Sequence, residues 1–165
     1  MKKIFFIFFF FQITLNSFSS EIAIVDVDQL ISNSKKGKLI ISELKILKDE
    51  NINNIKKKEK IIIDLDKEIQ SKKNILNENE IKNKLDQINN LLKDLESFKI
   101  QSTKFYEDKK NQEINAFFNQ IMPILNEFME KNSINYLIDK KNIFISNKKN
   151  DITSDLLNII DNNLK

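Results

Sequence analysis

The 165-residue chain has 27 cationic side chains, all lysine, against 24 acidic ones, with neither histidine nor cysteine. Those absences exclude disulfides, thiol nucleophiles, imidazole general bases and the commonest metal ligands. A single glycine, Gly37, and a single proline, Pro123, leave most of the sequence without a strong helix breaker.

Residues 1–19 read as a secretory signal peptide. Lys2 and Lys3 give a positive start, Ile4 to Phe11 an unbroken apolar run, and Asn16 to Ser20 a polar, small-residue end. Cleavage is expected after Ser19. A retained membrane anchor is the rival role, but the apolar run is short of the ~20 residues that a spanning helix needs, and Gln12 and Thr14 break it. Removing Lys2 and Lys3 leaves 25 cationic against 24 acidic side chains, a formal charge of +1. That is too weak a positive field for nucleic-acid binding.

Glu21 to Val27 (EIAIVDV) is the first predicted strand, apolar on both faces and therefore expected to be covered on both. Asp28 is placed to cap a short helix containing Leu30 and Ile31. A polar link, Ser34 to Lys38, surrounds Gly37. From there two helices are expected to fold into a hairpin, Lys38 to Leu76 and Ile81 to Lys131, reversing at Asn77-Glu78-Asn79-Glu80. Ile55, Ile62, Ile69 and Leu76 recur every seven residues, with Ile41 in phase; Ile81, Leu85, Ile88, Leu92 and Leu95 advance by fours and threes. So narrow a stripe suits a coiled-coil seam. An eleven-residue step from Leu95 to Tyr106 reads as a stutter. Beyond it Ile114, Phe117, Ile121, Ile124 and Phe128 resume the alternation, Phe118, Met122, Leu125 and Met129 widen the apolar face, and Pro123 is expected to kink the helix.

Tyr136-Leu137-Ile138 and Ile143-Phe144-Ile145 predict a β-hairpin around the polar turn Asp139 to Asn142. Asp151 is expected to cap a last helix with Ile152, Leu156, Ile159 and Ile160 on one face. The fold class is α+β, mostly α, with a helical-hairpin arm (38–114) on a small β-rich oligomerisation body (20–37 and 115–165). A body of that size makes a marginal core, and with disulfides excluded, oligomerisation is the natural reinforcement.

The opening IAIVDVDQLISNSKKGK, Ile22 to Lys38, and the closing NYLIDKKNIFISNKKNDITSDLLNIID, Asn135 to Asp161, resemble the Skp/OmpH family of periplasmic chaperones for outer-membrane proteins. The Asp151-Ile152-Thr153 start of the last helix is the most distinctive piece. The resemblance implies a jellyfish-shaped homotrimer whose arms surround a cavity and hold unfolded outer-membrane proteins in the periplasm without ATP or any other cofactor. The near-neutral charge departs from the family's strongly basic character.

With clients of that kind, Phe98, Phe105 and Tyr106 become candidate client contacts; packing between the helices of their own arm is the competing role. Lys56-Lys57-Lys58 and Lys72-Lys73 offer a weak contact for acidic lipid or client segments, although Glu59, Glu68, Glu78 and Glu80 offset them. Asp26 and Asp28 share one side of the predicted strand, but two carboxylates alone make a poor calcium site. No catalytic, metal or cofactor-binding residue is assigned. A structural or adaptor coiled coil of the envelope is the alternative function.

Overall fold

The structure, a computed structural model, describes residues 21–164; the expected export segment lies outside them. The elements run β1 (Glu21–Val25), α1 (Val27–Asn33), α2 (Lys35–Lys72), α3 (Glu78–Lys131), β2 (Ile134–Asp139) and α4 (Thr153–Asn163), with two 3₁₀ turns at Lys140–Asn142 and Lys148–Asn150. The described residues are thus mostly helical, with one two-stranded sheet.

Strand β1 is shorter than its apolar run suggests. Asp26, rather than Asp28, caps α1: its Oδ1 accepts the Gln29 N–H at 3.0 Å, so Val27 enters the helix. Asp28 lies in the first helical turn and pairs with Lys141 at 2.7 Å, so the two carboxylates do not share a site. Ser34 then ends α1 and caps α2, its Oγ accepting the Gly37 N–H at 3.1 Å. The expected polar link is therefore a single buried serine, and Gly37 lies inside α2.

Helix α2 extends ~57 Å and α3 ~81 Å at the usual helical rise. Five residues, Lys73 to Asn77, reverse the chain between them. Asn77 caps α3 in a reciprocal box: its side chain accepts the Glu80 N–H, and Glu80 accepts the Asn77 N–H, both at 2.9 Å. Helix α3 continues through Pro123 to Lys131. The carbonyl of Asn119 loses its ordinary donor there, on an exposed part of the helix.

The sheet departs most from expectation. β2 pairs in parallel with β1, in the register Ile22↔Tyr136, Ala23↔Leu137 and Ile24↔Ile138. A parallel pair needs a long crossover, which here is the whole of α1, α2 and α3. The predicted hairpin is not formed. Asp139 and Asn147 each accept a backbone N–H two residues on, opening the two 3₁₀ turns. These hold Ile143-Phe144-Ile145 away from β2, with Phe144 and Ile145 facing solvent. The other edge of β1 is met by a bridge to Asp151, where the Ile152 N–H donates to the Ile24 carbonyl at 3.0 Å.

The core gathers Val25, Leu30, Ile40, Leu44, Phe117, Ile121, Leu125, Leu156 and Ile160. It therefore extends into the first turns of α2. Leu156 and Ile160 are fully buried on the face predicted for α4. The helix-flanking position before α4 is Ile152, one residue after the expected Asp151. Asp151 instead stitches neighbouring segments: Oδ1 accepts from the Thr153 N–H at 3.1 Å and hydroxyl at 2.6 Å, and Oδ2 from Lys140 at 2.8 Å. Thr153 Oγ1 in turn accepts the Asp26 N–H at 2.9 Å, tying the start of α4 to the start of α1.

Candidate binding surface of the arm

The arm is held by a seam two side chains wide. On α2 it runs through Ile55, Lys58, Ile62, Leu65 and Ile69, and on α3 through Ile81, Lys84, Ile88, Leu91, Leu95, Phe98 and Ser102. Both series advance by threes and fours, as a hairpin of near-antiparallel helices requires. Leu85 and Leu92, expected in the seam, are exposed, and Lys84 and Leu91 take their places. Lys84 can do so because its stem lies along the partner helix while Nζ reaches Glu68 at 3.2 Å. Ile41 is likewise exposed, its neighbour Ile40 being the buried one. The apparent gap from Leu95 to Tyr106 is filled by Phe98 and by buried Ser102.

Polar groups interrupt this seam. Asn51 Nδ2 approaches the Ser102 carbonyl at 3.5 Å, and Lys58 Nζ lies 5.2 Å from the centre of the Phe98 ring. Lys99 crosses to Glu59 at 2.7 Å. Near the tip, hydrogen bonds from Lys72 and then Lys84 hold the Glu68 carboxyl below its ordinary range. Such exposed pairs are screened by solvent and add little, so the arm is held by a thin apolar strip.

The root of the arm has two different flanks. On one, Ile40, Ile41, Leu44, Tyr106 and Ile114 floor an open groove of ≈ 400 Å³ rimmed by Lys45, Lys48 and Lys110. It continues along the arm past Ile52 and Ile55. On the other, Ile46, Leu47 and Phe105 floor a groove of ≈ 280 Å³ rimmed by Glu43, Glu50, Glu113 and Lys109. Lys109 pairs with Glu113, whose hydrogen bond raises the lysine pKa.

Phe98, Phe105 and Tyr106 do not share a face. Phe98 is in the seam, Tyr106 lines the lysine-rimmed groove against the core, and Phe105 is exposed on the acidic flank. The lysine runs are partly committed: Lys58 to Phe98 and Lys72 to Glu68. Among the described residues no cluster of carboxylates could hold a metal ion, and no helix is long and apolar enough to cross a membrane.

The family model described as outer membrane protein (OmpH-like) matches residues 21–160, nearly all of the described chain. The chain belongs to the OmpH-like family. A crystal structure of an OmpH-like protein from Caulobacter crescentus CB15, described by its inferred role as an outer membrane chaperone, is similar to it in fold. Its TM-score is 0.77 at 13% identity, over 88% of this chain and 86% of that one. No curated protein matches the chain. The OmpH-like match includes both the body and the arm, so the grooves at the arm root fall within the family's shared frame.

Proposed function

We propose that this OmpH-like chain is a periplasmic holdase, which binds unfolded outer-membrane proteins between the arms of a homotrimer and delays their aggregation. One observation carries the reading: a long, thin hairpin leaves Ile41, Ile46, Ile52, Ile61, Ile63, Ile100 and Phe105 in solvent, although its own seam is already closed. On an amphipathic helix the large apolar side chains ordinarily gather on the inward face. An unfolded barrel protein exposes alternating apolar side chains and unpaired strand edges, both prone to aggregation. Scattered isoleucines among charged residues bind such a chain weakly at many points, and avidity retains it while each contact exchanges.

The body supports the assembly half of the proposal. Phe144 is 103% and Ile145 84% exposed, and the edge of β2 away from β1 has no strand partner among the described residues. A second and third copy covering these side chains would let the arms project around shared space. The process needs no nucleotide, metal or covalent step.

Native mass spectrometry of the mature protein, with and without a urea-unfolded outer-membrane barrel protein, tests both halves. A trimer that takes up one client chain is expected. Suppressed aggregation of several unrelated barrel proteins at near-stoichiometric concentration is expected alongside. Binding of one folded partner, with no protection of unfolded chains, would instead identify an adaptor.

A further inference from the structure

We infer that the lysine-rimmed groove at the arm root takes a short apolar stretch of unfolded chain flanked by carboxylates. The inference rests on the holdase reading for its class of ligand and adds where that ligand docks and what selects it.

Position and shape come first. Ile41, Ile52 and Ile63 are each separated by eleven residues, a spacing that returns to the same helix face every three turns, and all three are exposed. They form a strip that begins in the groove of ≈ 400 Å³ and passes into its continuation, the two sharing Lys48 and Tyr106. Ile41 and Ile52 lie ~16 Å apart along the helix, the length of about five extended residues. The surface thus suits an extended segment laid along the arm.

Charge supplies the selection. Lys45 and Lys48, one helical turn apart, make no ion pair among the described residues; Lys110 is shared with Glu107 at 3.4 Å. The opposite flank presents Glu43, Glu50 and a Glu113 already paired with Lys109 around an apolar floor of similar kind, leaving a net negative rim. Two grooves of like hydrophobicity therefore carry rims of opposite sign. A segment with acidic ends is attracted to the first and repelled from the second, and charge of that kind governs orientation and partner choice more than raw affinity.

Two labelled peptides with the same apolar core, one flanked by aspartates and one by lysines, test the inference by fluorescence anisotropy on the full mature protein. At low salt the aspartate-flanked peptide is expected to bind roughly fivefold more weakly to Lys45→Glu with Lys48→Glu than to the native protein, while the lysine-flanked peptide does not weaken. Glu43→Lys with Glu50→Lys should leave the aspartate-flanked peptide bound at least as tightly as the native protein binds it. A benzophenone photocrosslinker replacing Ile41 should capture the peptide, and one replacing Ile46 should not. Aspartate-flanked binding unchanged by Lys45→Glu with Lys48→Glu, loss of that binding in Glu43→Lys with Glu50→Lys, or capture of a second copy of this chain at position 41 would overturn the inference. Aggregation suppression measured on the same samples separates the two proposals. Suppression without that dependence on Lys45 and Lys48 sinks the groove and spares the holdase; lysine-dependent peptide binding without suppression does the opposite.

Discussion

Gly37 lies so close to Ile31 that a Cβ at position 37 would collide with the Ile31 carbonyl oxygen and stand 2.6 Å from its carbon. The same atom would meet Ser34 Oγ at 2.8 Å, where that hydroxyl accepts the Gly37 N–H. The glycine is thus required by the close passage of α1 over the first turn of α2. Gly37→Ala should cost roughly 3 kcal/mol, because the obstacle is backbone and cannot rotate away. Ser34→Ala removes only the cap and should cost about 1 kcal/mol. Urea denaturation at fixed protein concentration measures both; a Gly37→Ala protein as stable as the native one would contradict this geometry.

Ser133 ends α3 with φ at 55°, the one left-handed non-glycine residue among those described. Its N–H donates to the Glu130 carbonyl at 3.3 Å, closing the last turn before β2 begins. A serine Cβ is strained in that region and a glycine is not, so Ser133→Gly should stabilise the protein by about 0.5–1 kcal/mol. Thermal unfolding would register the change as a raised midpoint. A lowered midpoint would mean that the serine side chain supplies something its backbone angle does not reveal.

Asp151 is expected to give the body an acid-sensitive step. A hydrogen bond from Lys140, then those from Thr153, lower its pKa from 3.8 to about 2. A carboxyl depressed on folding adds stability that is complete above its unfolded pKa and is lost as pH falls toward the folded value. The window is therefore from about pH 4 down to about pH 2. After allowance for solvent screening of the lysine, the contribution at neutral pH is ~1 kcal/mol. Asp151→Asn should flatten the stability profile across that window. Lys140→Met should move the Asp151 carboxyl, followed by NMR titration, back toward the ordinary range. An unmoved carboxyl would show that the lysine does not set it.

The hairpin and the last helix were legible in the sequence because each repeats one periodic signal over several turns. Ile55, Ile62 and Ile69 keep the seam positions that their seven-residue spacing suggests, and Leu156 and Ile160 keep their buried face. What misled was choosing the more apolar of two neighbours. Lys84 displaces Leu85 because a lysine stem can pack while its ammonium pairs with Glu68, and Ser102 fills the seam although hydroxyl-bearing. The sheet was less legible still. Periodicity marks a strand but not its partner, and β2 chose β1, more than a hundred residues away, over its neighbour in sequence. The two grooves were invisible for a related reason: their charge contrast needs α2 and α3 side by side, with Tyr106 falling on one flank and Phe105 on the other.

The segment between the two 3₁₀ turns carries the last prediction. Phe144 is exposed as fully as in an unfolded chain and Ile145 nearly so, while Tyr136 on β2 is 59% exposed. Burying a side chain of either size stabilises by about 1.5–3 kcal/mol, so two such groups in each copy are a strong incentive to associate. They support no contact within their own chain's core, so removing them should leave the fold intact. Phe144→Ser with Ile145→Ser should therefore weaken self-association by at least about tenfold while far-UV helicity persists. Sedimentation velocity over a dilution series reads the first effect and circular dichroism the second. If the double variant associates as tightly as the native protein, the copies meet elsewhere and the exposed pair is left for some other partner. If the native protein itself is a monomer throughout the series, the shared body fails, and with it the enclosure the arms were proposed to form.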